Sequence, residues 1–191
     1  MIKRKDQRVA VFIDTANMYH SAKHLFSARL NFKNVLEDAV SDRQLIRAIA
    51  YVITTKTGEE KPFLDALTNI GIEMKSKELQ EFSGGAKKGD WDVGLSVDAI
   101  RIGIGVDVIV IVSGDGDYIP LVEYLQNQGK QVEVMAFRES ASSKLVEKAD
   151  GFVDLSADSS RYVLGRGRQS AAEKVTDKVV IIRKGGKAEK V

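Results

Sequence analysis

The sequence predicts an α/β protein: a three-layer sandwich around a central, mainly parallel sheet, with a basic tail at its C-terminal end. Two apolar runs, Val9–Asp14 and Val106–Val112, are nearly continuous rather than alternating, as strands buried on both faces are. Around them, strand-like runs take turns with helical patterns, the signature of repeated βα units. The chain has 191 residues, 43% of them hydrophobic, enough for one ordinary domain with a real core plus an extension. The domain is drawn at residues 1–156 and the extension at 157–191.

Val9–Asp14 is the first strand. A helix follows it, with Met18, Ala22, Leu25 and Phe26 at helical spacing. Arg43–Ile49 reads as a short helix leading into a strand at Ala50–Thr55. Lys56–Glu60 is polar and reads as a loop. Pro62 suits a first helical turn, Phe63–Ile70 continues it, and Gly71 stops it. Ile72–Lys75 is a weak strand. Gln80–Asp90, with Gly84, Gly85 and Gly89, predicts a mobile loop. Asp92 opens the next helix, in which Val93, Val97, Ile100 and Ile104 make one stripe expected to be buried. After the strand at Val106–Val112, Pro120 lies near the start of a helix that ends at Gly129. Gln131–Phe137 is a strand, Ser140–Ala149 a helix and Phe152–Leu155 a short last strand. Gly165–Arg168 breaks the composition. Beyond it the extension is partly disordered, or Lys178–Arg183 (KVVIIR) adds an edge strand or binds a partner.

Composition excludes several kinds of chemistry. There is no Cys, so disulfides, zinc thiolate sites and thiol nucleophiles are ruled out. The formal net charge of +2 hides an asymmetry: residues 157–191 carry nine Lys/Arg against four Asp/Glu, and the rest of the chain is slightly acidic. A basic tail can grip a phosphate backbone without reading sequence, or can simply be solvated. No apolar run approaches the roughly 18–20 residues that cross a bilayer. The basic start MIKRKDQR is followed by a strand, not by a signal-peptide core. A cytoplasmic protein without a membrane partner is expected. The apolar residues Val179–Ile182 suggest a homodimer.

Four acids carry the chemistry. An apolar run that stops at an Asp delivers a carboxylate to the carboxyl edge of the sheet, where open α/β sheets bind ligands. Asp14 is such an acid, or else a cap for the helix behind it. Asn17, three residues on, is placed to orient Asp14 or a water, or to satisfy backbone groups. Asp92 opens a helix, where the dipole favours a carboxylate. Ser113-Gly114-Asp115-Gly116-Asp117 puts two acids on a glycine-rich turn, able to converge on one cation, and its glycines let backbone approach a phosphate. It is no EF-hand, because Ile119, Pro120 and Gln126 stand where that loop needs a ligand, Gly and Glu. Asp98 lies off the apolar stripe and is expected to face solvent, the alternative being an outer member of the site. Lys87 and Lys88 either meet substrate phosphates or are ordinary loop lysines. Acids gathered in one place repel one another unless a cation sits among them, and hard oxygen donors suit Mg²⁺ or Mn²⁺.

Other features read as structural. His20 and His24 form a surface pair. Gly103-Ile104-Gly105 precedes a strand rather than following one, and no P-loop is present. Trp91 and Tyr118 either stack on bases or pack at the rim. Phe12 and Phe137 belong to the core.

Taken together, IDTANMY, KKGDWDVGLSVDA and VSGDGDYIPLVEYLQNQGKQVEVMAF resemble the NYN domain in its LabA-like branch, over about Val9 to Leu155. The resemblance implies a small sandwich similar to PIN domains and flap-type nucleases, an acidic pocket for Mg²⁺ or Mn²⁺, and endoribonuclease activity on RNA. It assigns Asp14 and Asn17 to the first motif, Asp92 and Asp98 to the second, and Ser113, Asp115 and Asp117 to the third. No motif acid is missing. Asp14, Asp92 and Asp115, with Asp117 near or among them, would hold one or two ions. The alternative is a module that binds RNA or protein without cutting. A metal phosphatase ranks last, because Asp14-Thr15-Ala16 lacks the second acid of a DxD.

Overall fold

The computed structural model describes residues 3–55, 60–81 and 87–164. In chain order the elements are β1 (Arg8–Asp14), α1 (Thr15–Phe26), β2 (Arg29–Leu30), α2 (Phe32–Val40), β3 (Gln44–Thr54), α3 (Lys61–Asn69), β4 (Glu73–Glu78), β5 (Gln80–Glu81), β6 (Lys87–Lys88) and α4 (Asp92–Gly103). They continue with β7 (Val108–Val112), α5 (Ile119–Asn127), β8 (Gln131–Ala136), α6 (Ser143–Lys148), β9 (Gly151–Asp154), α7 (Ser159–Tyr162) and β10 (Val163–Leu164). Short 3-10 turns at Gly116–Tyr118 and Arg138–Ser140 follow β7 and β8.

Six strands form one sheet in the order β4-β3-β1-β7-β8-β9, every neighbouring pair parallel. The chain builds outward from β1 through β3 to β4, then returns to place β7 on the other side of β1. That reversal is a topological switch point, and it opens a crevice beyond the carboxyl ends of β1 and β7. Two apolar layers cover the sheet. Met18, Ala22, Val35, Leu36, Ala39 and Leu67 from α1, α2 and α3 close one face. Leu95, Ala99, Leu121, Val122, Leu125 and Leu145 from α4, α5 and α6 close the other. Phe12 and Phe137 are fully buried, as expected.

Two expectations are corrected. Arg43–Ile49 is not a helix, because β3 already begins at Gln44 and pairs with β1 from Arg8 onward. Ala48, Ala50 and Val52 face one layer while Ile49 and Tyr51 face the other, a strand alternation that continues the predicted run at Ala50–Thr55. The helix lies earlier, at Phe32–Val40, where the Asn31 side chain accepts the Asn34 amide and caps it. Arg43 ends that helix instead, donating to the carbonyls of Ala39 and Val40 and making a bidentate pair with buried Glu133 at 2.6 and 3.0 Å.

The second correction concerns α4. Val93, Val97 and Ile104 are 75%, 46% and 81% exposed, and only Ile100 is half-buried. The face that packs is Leu95, Asp98, Ala99 and Gly103. The helix is apolar on two sides, and the side with small residues lets its backbone approach the sheet closely. A Cβ on Gly103 would already lie 3.1 Å from Ile109 Cδ1.

The predicted loop at Gln80–Asp90 begins and ends as a two-stranded ribbon, β5 with β6. Residues 56–59, 82–86 and 165–191, including the KVVIIR segment, lie outside the described residues. Past Leu155 the chain turns back. Arg161 and Tyr162 donate to Asp38 of α2, and β10 pairs antiparallel with β2. Among the described residues no helix is long and apolar enough to cross a membrane.

Candidate metal centre

Asp14 is the last residue of β1 and is 7% exposed. It is both cap and pocket acid. Its Oδ1 accepts the Asn17 amide at 3.1 Å, closing the start of α1, while Ser113 Oγ and the Tyr118 hydroxyl each reach its Oδ2 at 3.3 Å. Burial, then the charges of Asp92 and Asp115, push its carboxyl up to about 6 against the opposing bonds from Asn17 and Ser113.

The loop after β7 is held from several sides. Asn17 Oδ1 accepts the Gly114 amide at 3.0 Å. Ser113 Oγ accepts the Asp115 amide at 3.2 Å, and Asp115 Oδ1 accepts the Asp117 amide at 3.0 Å. The glycines serve a neighbour within the protein: a Cβ on Gly114 would lie 2.9 Å from Ala141 Cα. The backbone approach read from the sequence is therefore taken up by the loop after β8.

Asp92, Asp115 and Asp117 each offer a carboxylate oxygen, and these three oxygens lie within 4.8 Å of one another. Asp92 and Asp115 are half-buried and Asp117 is exposed, so the trio opens to solvent on one side. Asp14 stands behind it, joined by Ser113 and by Tyr118, whose hydroxyl also lies 3.4 Å from Asp92 Oδ1. Burial and the surrounding Asp14, Asp92 and Asp115 keep that phenol protonated, far above its usual range. Converging anionic oxygens with one open side fit a hard divalent cation.

Asp98 does not face solvent. It is 7% exposed and accepts from Lys75 Nζ at 2.6 Å and from the Tyr51 hydroxyl at 2.8 Å. Burial alone would raise its carboxyl, but these two donors outweigh it and hold the value below the ordinary range. It pins α4 to β3 and β4, which indirectly sets Asp92. Trp91 packs rather than waiting for a base: its Nε1 donates to the Val52 carbonyl at 2.9 Å, and its ring stands edge-on to Tyr51 beneath Lys77. Tyr118 is fully buried, with its hydroxyl between two acids, a role not read from the sequence. Its place directly after the Gly-Asp-Gly-Asp turn was the available signal. Lys87 and Lys88 pair their backbones with Glu81 and Gln80, and their side chains lie outside the described residues. His20 and His24 are exposed on α1.

A profile of the NYN domain family matches residues 8–156, a span that includes every acid of this pocket. The chain belongs to the NYN domain family. It is similar to the low amplitude and bright protein LabA of Synechococcus elongatus, 27% identical over 163 residues that make up 79% of this chain and 85% of LabA. The fold is shared with the crystal structure of a protein of unknown function from Vibrio parahaemolyticus. That protein is 30% identical with a TM-score of 0.76, and the match covers 86% of this chain and 100% of the other.

Proposed function

We propose that this NYN protein is a cytoplasmic, metal-dependent endoribonuclease that hydrolyses RNA phosphodiester bonds using Mg²⁺ or Mn²⁺. The observation that carries the reading is the convergence of Asp92, Asp115 and Asp117 at the sheet's switch point in a nuclease-like family. These three would hold the ion, with Asp14 completing the set from behind. A divalent ion bound there would supply an activated water and offset charge building on the phosphate.

The chain's own residues do the rest. Ser113 fixes the acid-bearing loop against β1, and Asn17 fixes it against α1. Exposed Asp117 marks the side from which a phosphodiester enters, and Lys87 and Lys88 are assigned to its phosphates. The buried floor of Asp14 and Tyr118 keeps water from reaching the acids from the core side.

The test is incubation of labelled single-stranded RNA with Mn²⁺, with and without chelator. Chelator-sensitive cleavage that disappears in a folded Asp115→Asn variant is the expected result. RNA retained without turnover would overturn the reading in favour of a binding module. Turnover of a phosphomonoester in place of RNA would overturn it in favour of a phosphatase.

A further inference from the structure

We infer that the Tyr118 hydroxyl is a positioning group that links Asp14 to Asp92 and so sets how tightly the pocket holds its cation; this rests on the divalent-ion reading above. Three elements meet at this one oxygen. Asp14 comes from the end of β1, Asp92 from the first turn of α4, and Tyr118 from the 3-10 turn after β7. The hydroxyl lies 3.3 Å from Asp14 Oδ2 and 3.4 Å from Asp92 Oδ1.

The ring is wholly buried in the layer that also holds Phe12, Leu95 and Leu121, so the oxygen cannot swing away. Packing alone does not account for that oxygen. A phenylalanine would fill the same apolar space, and burying a hydroxyl costs free energy unless it is bonded. A phenol carries a single proton. It serves one carboxylate at a time, and it keeps the two acids at a common distance from a fixed point. Without it, Asp14 and Asp92 would lose the donor they share, and Asp92 is a member of the trio. Groups that orient a metal ligand without touching the metal are worth about 10- to 100-fold in affinity.

The experiment is Mn²⁺ calorimetry on full-length wild type, Tyr118→Phe and Tyr118→Leu, with thermal melts of each protein in chelator. Both variants lack the oxygen, but only the leucine also loses the ring. Both are expected to bind Mn²⁺ about tenfold or more weakly than wild type, by similar factors, although the leucine variant melts lower. Wild-type affinity in the phenylalanine variant would overturn the inference, as would affinities that simply follow the melting temperatures. Wild type that takes up no Mn²⁺ would remove the divalent-ion reading itself, an outcome distinct from a silent Tyr118→Phe.

Discussion

The side-chain oxygen of Asn17 accepts the backbone N–H of Gly114 at 3.0 Å, so the first turn of α1 holds the loop that carries Asp115 and Asp117. Gly114 is buried. Asn17→Ala should leave that amide unpaired at a cost of about 1–3 kcal/mol, seen as an earlier urea transition. Mn²⁺ affinity should fall as well, because the loop loses its tie to α1. Unchanged urea and calorimetric curves would show that the contact holds nothing in place.

Asp14 should make the chelated protein less stable at neutral pH. Its carboxyl is raised from 3.8 to about 6 in the fold, chiefly by burial. Ionising it therefore opposes folding. The stability it contributes is complete below about pH 4 and is lost as pH rises through about 6. With chelator present, Asp14→Asn should be more stable than wild type at pH 7.5, by on the order of 1–3 kcal/mol, and the gap should close at pH 4. Melts at the two pH values check this, and a variant less stable than wild type at pH 7.5 would contradict it.

The two apolar sides of α4 should respond differently to substitution. Leu95 is fully buried, and Leu95→Ala should cost about 2–5 kcal/mol. Val97 is 46% exposed, and Val97→Glu should change stability by less than about 0.5 kcal/mol. Denaturant midpoints of the two variants compare the faces directly.

The Arg43–Glu133 pair joins the residue just before β3 to the middle of β8, with both side chains essentially unexposed. Glu133→Ala should cost about 3–5 kcal/mol, because it strands a buried guanidinium. It should leave Mn²⁺ affinity of the folded protein unchanged, since the pair does not touch the acid pocket. Equal losses in melting temperature and in affinity would show that the two regions are coupled.

What could be read from the chain follows from how local each signal is. Val9–Asp14 and the Ser-Gly-Asp-Gly-Asp turn declare themselves, because an apolar run ending at an acid has one natural place in a parallel sheet. Arg43–Ile49 misled because Leu45, Ile46 and Ile49 sit at a spacing that fits a helix as well as a bulged strand, and only pairing with β1 decides. On α4 the larger residues suggested the buried side, whereas close packing selected Ala99 and Gly103. Asp98 looked exposed for the same reason: its partners Tyr51 and Lys75 are 47 and 23 residues away, on strands that no spacing rule brings to it. For Tyr118 its place after the acidic turn was the one local signal, and its partners Asp14 and Asp92 are 104 and 26 residues distant.

Asp14 and Ser113 touch across 99 residues of chain. A ribosome releases β1 long before it has made β7, and of the trio only Asp92 on α4 precedes that strand, while Asp115 and Asp117 follow it. The first half of a nascent polypeptide thus carries Asp14 and Asp92 but neither Asp115 nor Asp117. The pocket is therefore complete only once the switch-point strand has been synthesised and has docked.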